Sequence, residues 1–217
     1  MKHYTIAFCT SLLLAACHSA QNKTTTSEEP KKDAPTIVAS STTTTPGMDQ
    51  ATMMKNWKAY MTPGKEHQMM TSWNGTWLGD VSMWEGPNAQ PAKSAITSVN
   101  RMVLGGRYQL SEEKGQFMGM SFEGRGTLAY DNIKRKFIST WIDNMGTGLI
   151  TLEGPWDEGN KSMDLKGKEI NPQTGDEMTV RQVFRVIDND RQIIQMFQPG
   201  PDGKEFKSME ILLTRRK

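Results

Sequence analysis

The sequence predicts an all-β fold, an antiparallel up-and-down β-barrel of about ten strands preceded by one or two short helices. Apolar and polar residues alternate with a period of two from about residue 72 onwards, which is typical of half-buried strands. Gly, Pro, Asn and Asp interrupt this alternation at regular intervals, as turns between short strands do. Strands joined by hairpins form a meander, and closing a meander into a barrel removes its exposed edges.

Two helices are predicted ahead of the strands. Residues 49–61 place apolar side chains at helical spacing, and Asp49 suits the N-cap position. Pro63 and Gly64 end this helix, and a second short helix is predicted for residues 65–71. We therefore expect a helical segment at residues 48–71 and a barrel domain at residues 72–217.

The predicted strands follow from the same alternation. They are residues 75–84, 94–104, 108–113, 116–130, 136–143, 148–155, 162–170, 178–187, 192–198 and 206–215. A turn is predicted at Lys114 and Gly115, so the acidic pair Glu112 and Glu113 is expected to be solvated beside it. Gly124 and Gly126 lie within one strand, where they permit the sharp bend that a small barrel needs.

The first 16 residues have the features of a secretory signal peptide. Lys2 supplies a positive charge, an apolar stretch follows, and two alanines precede Cys17. The sequence Leu-Ala-Ala-Cys at residues 14–17 resembles the lipobox of bacterial lipoproteins. That resemblance implies cleavage before Cys17 and a thioether-linked lipid on its sulfur, so the predicted partner of this end of the chain is a membrane.

Residues 17–47 are predicted to be a tether. They are rich in Thr, Ser and Pro and contain few large apolar side chains, so they cannot bury enough surface to offset the entropy of ordering. Residue 18 is His rather than Asp. By resemblance to the sorting rule of bacteria with two membranes, this favours the outer membrane, with the domain in the periplasm or at the cell surface.

Composition excludes several classes of function. The net charge is +2 with interspersed charges, so no basic stripe indicates nucleic-acid binding. Both cysteines, Cys9 and Cys17, lie ahead of the predicted barrel domain, and His67 is the one histidine after the predicted tether. Zinc sites of Cys and His and thiol nucleophiles are therefore not expected, and no Gly-x-Ser-x-Gly motif is present. We expect no catalytic residues, no metal site and no enzyme.

Cofactor binding is also not expected. The 16 methionines and the proximity of His67 to Met69 and Met70 allow a copper(I) interpretation. Methionine is, however, more typical of core packing. Haem held by a histidine of a late strand is disfavoured, because no histidine follows His67.

Several motifs occur in an order that resembles a known family. They are Trp73-Asn74-Gly75-Thr76-Trp77, Leu104-Gly105-Gly106-Arg107-Tyr108, Phe122-Glu123-Gly124, Tyr130-Asp131-Asn132, Trp141-Ile142-Asp143-Asn144, and Met209-Glu210-Ile211 with Thr214-Arg215. Across residues 67–216 the chain resembles the family called domain of unknown function 1579, regarded as lipocalin-like. The resemblance implies a calycin-type barrel, and it brings neither a ligand nor catalytic residues.

A ligand pocket inside the barrel is the candidate site. A barrel of this size has room for side chains or for one small ligand. We expect the pocket to be lined by Trp77, Tyr130 and Trp141, with Asp143 or Arg107 near its mouth. Aromatic rings supply apolar contact area and one or two charges orient a ligand.

Simpler roles compete with this interpretation. Asp143 alternatively caps the turn at residues 144–148 while Trp141 is core, and Arg107 is alternatively an exposed ion-pair partner. Two functions remain open: a barrel that binds a small, largely apolar ligand, or a filled barrel that contacts an envelope partner. Small residues, namely Gly119, Gly124, Gly126 and Gly167, favour a cavity, whereas large apolar residues on every strand favour a filled interior.

Overall fold

The computed structural model describes residues 47–117 and 119–217. The predicted signal peptide, Cys17 and the predicted tether up to residue 46 lie outside the described residues. Within the described ranges, no helix combines the length and the apolar character needed to cross a membrane.

Two helices precede the strands, as predicted. Helix α1 is Gln50–Met61 and helix α2 is Lys65–Ser72. Asp49 is the N-cap of α1, since its Oδ1 accepts a hydrogen bond of 2.9 Å from the backbone N–H of Thr52. At the start of α2, Nδ1 of His67 accepts a hydrogen bond of 3.0 Å from the N–H of Gly64. Side chains therefore satisfy backbone donors at both helix starts.

The strands form one closed antiparallel barrel. They are β1 (Gly75–Met83), β2 (Ala92–Val103), β3 (Tyr108–Phe117), β4 (Met120–Asp131), β5 (Lys136–Asp143), β6 (Ile150–Gly154), β7 (Trp156–Asp157), β8 (Ser162–Ile170), β9 (Glu177–Val186), β10 (Arg191–Pro199) and β11 (Glu205–Arg215). Apart from β6 and β7, consecutive strands pair with each other, and the β1–β11 and β6–β8 pairings close the ring. The short β7 follows β6 after Pro155 and pairs with β8. The barrel proper thus has ten strands and the predicted up-and-down topology.

One predicted turn is wrong. β3 continues through Lys114 and Gly115 to Phe117, which pairs with Met120 at the start of β4. A Cβ on Gly115 would collide with the backbone carbonyl of Ala95 and lie 2.9 Å from Cγ2 of Ile96. Glycine is present here because β2 approaches closely, not because the chain turns.

Helix α2 closes one end of the barrel. Met70 and Trp73 are buried against the strands, and the Trp73 ring meets Phe184 at 4.9 Å between centroids. Barrel side chains also bind the carbonyls at the end of α2: Nε2 of Gln109 donates to Met70 O at 2.7 Å, and Nη2 of Arg215 donates to Ser72 O at 2.8 Å. The end of the helix is thereby fixed to the barrel by packing and by hydrogen bonds.

Helix α1 lies outside the barrel core. Nδ2 of Asn132 donates to the carbonyls of Ala59, Tyr60 and Thr62 at 3.2, 3.1 and 2.9 Å. These bonds hold the C-terminal end of the helix at a barrel loop. No residue of α1 is buried, so its side chains remain available to other surfaces.

Candidate functional site

The barrel encloses a cavity of about 490 Å³. Side chains from all ten barrel strands line it, together with Trp73 at the end of α2. Its size falls within the range of known small-molecule sites, roughly 300–1,000 Å³. The interior is therefore not filled by side chains. The alternative interpretation, a filled barrel that contacts an envelope partner, requires a filled interior.

The cavity wall is a mixture of apolar and polar side chains. The apolar group comprises Trp73, Val81, Met83, Trp84, Ile96, Phe117, Phe122, Leu128, Trp141, Met145, Ile150, Leu152, Met163, Phe184, Ile194, Met196, Met209, Ile211 and Leu213. The neutral polar group comprises Ser94, Ser98, Asn100, Gln109, Ser111, Gln116, Thr127, Ser139, Gln182, Gln192, Gln198 and Ser208. Glu113, Asp143 and Glu169 complete the polar wall, and the lining residues include no Lys, Arg or His.

Two of the carboxylates lie in one cross-strand row. Ser98 of β2 is paired with Glu113 of β3, Glu113 with Gly124 of β4, and Gly124 with Asp143 of β5. Adjacent strands are about 4.8 Å apart, so the backbones at Glu113 and Asp143 are separated by about 10 Å along the sheet. Gly124 leaves the intervening position without a side chain.

The indole ring of Trp141 fills that position. A Cβ on Gly124 would collide with the ring, and one on Gly126 would lie 3.2 Å from its Cε3 atom. The ring of Phe122 stacks beside it at 6.5 Å between centroids and 19° between planes. An aromatic surface therefore lies between the two carboxylate-bearing positions of the row.

Glu113 is the most deeply buried of the three acids. Its exposed fraction is 8 %, and burial raises its pKa from 4.5 to about 7, while a hydrogen bond with Ser98 opposes the rise. The basic side chains of the described ranges form no ion pair with it. A carboxyl group with this pKa can exchange a proton with a ligand near neutral pH.

Asp143 has both of its oxygens engaged. Oδ2 accepts a hydrogen bond of 2.8 Å from Nε1 of Trp141, and Oδ1 accepts one of 2.9 Å from the N–H of Met145. Glu169 on β8 is half-buried, and its pKa is raised mainly by burial and further by the charge of Asp143. Among the described residues that line the cavity, these three acids are thus the charged side chains, and none is basic.

Trp141 and Asp143 are the two predicted pocket residues that the structure places in the cavity wall. Trp77 is elsewhere: it is fully buried in a core cluster with Val81 and Ile96. Its Nε1 donates to the Trp73 carbonyl at 3.0 Å, which fixes the ring beneath the end of α2.

Tyr130 and Arg107 also lie away from the cavity, which corrects their predicted placement. Tyr130 packs at the α2 end, where its ring centroid lies 5.9 Å from that of His67, with the two rings nearly perpendicular, and 5.0 Å from that of Phe137. Arg107 is exposed, and its Nη2 donates to the carbonyl of Met61 at 2.8 Å. Both belong to contacts that join the helices to the barrel.

Sequence reasoning missed Glu113 and Glu169. The predicted turn at residues 114–115 placed Glu113 in solvent, whereas the strand continues and turns this side chain inward. Glu112 does point outward and pairs with Arg101 at 3.1 Å. The period-two spacing of Gln109, Ser111 and Glu113 could have indicated that all three lie on one face of β3. That face is polar, however, so it resembles a face exposed to solvent.

The glycines that favoured a cavity have different roles in the structure. Gly124 and Gly126 make room for Trp141, whereas a Cβ on Gly167 would collide with the Thr151 carbonyl of β6. Gly119 is exposed in the β3–β4 connection with φ of +79°. Two of the four therefore shape the cavity wall.

His67, Met69 and Met70, on which the copper interpretation depended, lie in α2. Within the described ranges, no three side chains of His, Cys, Asp or Glu converge on a common point. His67, which the copper interpretation used, already accepts a hydrogen bond at Nδ1, and Met70 is fully buried in the core.

Comparison with known proteins supplies the family. The model of the family "Protein of unknown function (DUF1579)" matches residues 62–215, which include α2 and the whole barrel. The chain belongs to the DUF1579 family. A search of curated proteins found no match.

A solved structure shares the fold of this DUF1579 barrel. The crystal structure of Rv2717c from M. tuberculosis superposes with a TM-score of 0.55 at 12% sequence identity, covering 72% of this chain and 100% of that one. At this identity the likeness shows the fold alone.

Proposed function

We propose that this DUF1579 protein is an envelope-anchored lipoprotein that binds a small, largely apolar molecule inside its barrel. The observation that carries the proposal is the cavity of about 490 Å³ lined by side chains from every barrel strand. A packed barrel would have no such space, and proteins close-pack interiors that have no ligand. Binding rather than catalysis is proposed, because no nucleophile in the cavity wall is paired with a histidine base.

The cavity composition supports a ligand with a long apolar part. Apolar side chains from opposite sides of the barrel face each other across the space, among them Ile96, Leu152 and Ile194. Burying apolar ligand surface against them contributes about 25 cal/mol per Å². The side-chain amides and hydroxyls between them can orient a polar group of the ligand.

The predicted lipid on Cys17 supplies the proposed membrane anchor, and α1 supports a position near the membrane surface. Five apolar side chains lie along one stripe of this helix: Met53, Met54, Trp57, Tyr60 and Met61. Trp57 is 57 % exposed. The helix contains Lys55 and Lys58 and no acidic residue, so it is suited to anionic lipid headgroups. It follows directly after the proposed tether.

Native mass spectrometry of the purified full chain tests the binding proposal. A bound small molecule should add a defined mass to the protein, and that mass should be lost on unfolding. Ser139→Phe adds a ring to the cavity wall and should abolish the added mass. Thr140→Phe, on the outward side of the same strand, should retain it. Equal ligand content in the two variants contradicts the proposal. It is also contradicted if the wild-type chain carries no ligand and apolar probes do not quench its tryptophan emission.

A further inference from the structure

The geometry points to a cationic amphiphile as the ligand class, a molecule with an apolar body and one ammonium or guanidinium group. This inference rests on the proposed binding function and adds the charge of the ligand to it. It is carried by the composition of the cavity wall: Glu113, Asp143 and Glu169 are its charged residues, and no Lys, Arg or His joins them.

Electrostatics select against anions in this cavity. A fatty acid would add its negative charge to a cavity whose charged lining residues are all acids, and desolvating an unpaired charge is costly. Arg107, which the sequence analysis placed near the mouth of the pocket, lies outside and donates to the Met61 carbonyl. A cation would instead supply a counter-charge for Glu113, which is buried and forms no ion pair with the basic side chains of residues 47–117 and 119–217.

The aromatic surface formed by Trp141 and Phe122 also favours a cationic ligand. Trp141 lies between the backbone positions of Glu113 and Asp143, with Phe122 beside it. A cation over an indole ring is attracted to the negative face of the ring, and Trp provides the strongest such contact. Neighbouring carboxylates and one tryptophan therefore form a site for an ammonium head, and the apolar wall receives the tail.

Protonation of Glu113 should make the preference pH-dependent. The pKa of Glu113 is about 7, so its charge increases through neutral pH. Asp143 on β5 and Glu169 on β8 are the other titratable groups facing the cavity. Its neighbours on β2 and β4, Ser98 and Gly124, do not titrate. Affinity for a cation should rise roughly tenfold between pH 6 and pH 8, as the ionised fraction of Glu113 rises.

Three probes with the same ten-carbon chain separate charge from apolar contact: decyltrimethylammonium, decanol and decanoate. Their affinities for the full chain are measured by titration of tryptophan emission below their micellar concentrations. We expect the cation to bind roughly tenfold more tightly than the alcohol at pH 8, and decanoate to bind most weakly. The alcohol should bind equally at pH 6 and pH 8.

A pair of adjacent variants provides the control. Glu113→Gln removes one of the three inward acids and should weaken the preference for the cation and eliminate its rise between pH 6 and pH 8, while decanol affinity is retained. Glu112→Gln removes an outward charge and should leave all three affinities unchanged. The pH series on the unmodified chain keeps the test valid if Glu113→Gln fails to fold.

The outcomes distinguish the ligand class from the binding function. Equal affinity for cation and alcohol, or tighter binding of decanoate, overturns the inferred ligand class and leaves the binding proposal standing. A cation preference of the same size and the same pH dependence in Glu113→Gln overturns the role of this residue. Failure of all three probes to bind overturns the proposed function itself.

Discussion

The indole Nε1 of Trp141 donates a 2.8 Å hydrogen bond to Oδ2 of Asp143, two residues further along the same strand. The other oxygen of Asp143 accepts the N–H of Met145 at 2.9 Å. The Asp143 carboxylate thus stabilises the turn after β5 and also orients the indole ring of Trp141, which lies between Glu113 and Asp143. The turn-capping alternative is correct for Asp143, while Trp141 lines a cavity instead of filling a core.

Replacing Trp141 should affect binding more than stability. Trp141→Ala removes apolar contact area from the cavity wall, so we expect decanol binding to weaken by about 1–3 kcal/mol. Trp77→Ala is the matched control, because Trp77 is fully buried away from the cavity. It should lower the free energy of unfolding by about 3–5 kcal/mol, considerably more than Trp141→Ala does.

Emission titrations and urea unfolding of both variants provide the measurements. If Trp141→Ala destabilises the fold as much as Trp77→Ala and leaves probe affinity unchanged, the ring belongs to the core and is not part of a binding site.

Gly124 should tolerate a side chain poorly. A methyl group there would collide with the indole of Trp141, whereas at Gly126 it would lie 3.2 Å from the nearest ring atom. We expect Gly124→Ala to destabilise the protein by about 1–3 kcal/mol and Gly126→Ala to have a smaller effect. Thermal unfolding measures the stabilities, and tryptophan emission detects displacement of the ring. Equal effects of the two substitutions would contradict the close packing at Gly124.

Glu113 should make the fold less stable as pH rises. Its folded pKa of about 7 exceeds its usual 4.5, so between these values the folded state binds more protons than the unfolded state. Stability contributed by the protonated form is therefore present in acid and lost as pH rises through 7. One pKa unit corresponds to about 1.4 kcal/mol.

Urea unfolding at pH 5 and pH 8 measures this loss. The stability of Glu113→Gln relative to wild type should increase by about 2–3 kcal/mol between the two pH values. Glu112→Gln should show no such change, because Glu112 is outside the barrel and paired with Arg101. A pH-independent difference for Glu113→Gln would show that this carboxyl group titrates normally.

The fold was more predictable than the site. Apolar and polar residues alternate clearly on strands such as β9, where Val180 and Phe184 are buried and Arg185 is exposed. A meander of many short strands joined by tight turns can protect its two edge strands in few ways other than closing into a barrel. Glycine at 115 was ambiguous, because close strand approach and a turn demand the same residue. Only the packing of β2 distinguishes these two cases.

The candidate site depends on information that local patterns lack. On β3 the side chains of Gln109, Ser111 and Glu113 point into the barrel. A strand face with polar residues at every second position is also typical of a face exposed to water, so the sequence pattern does not distinguish the two. The positions of Trp77 and Tyr130 depend on where α2 closes the barrel. Helix docking is a long-range event, and the sequence of neither strand specifies it.

Removing the predicted tether should leave the fold intact. A chain starting at Met48 retains α1, α2 and every strand, and residues 18–47 have too few apolar side chains to add a packed surface. We expect its melting temperature to equal that of the mature chain. A decrease of more than a few degrees would show that the removed residues pack on the barrel.

Cys17→Ala should abolish membrane attachment. The proposed anchor is a thioether-linked lipid on this residue, and an acyl chain gains about 0.8 kcal/mol for each CH₂ group buried in the bilayer. Alanine has no sulfur to carry the lipid, so the variant should appear in the soluble fraction or remain as an uncleaved precursor. Fractionation followed by mass spectrometry of the N-terminal peptide distinguishes these forms.

Cys9→Ala is the control, since Cys9 lies within the predicted signal peptide and its replacement should not affect attachment. A Cys17→Ala chain that stays in the membrane fraction after signal cleavage would rule out the lipid anchor, leaving α1 as the segment to test next for membrane binding.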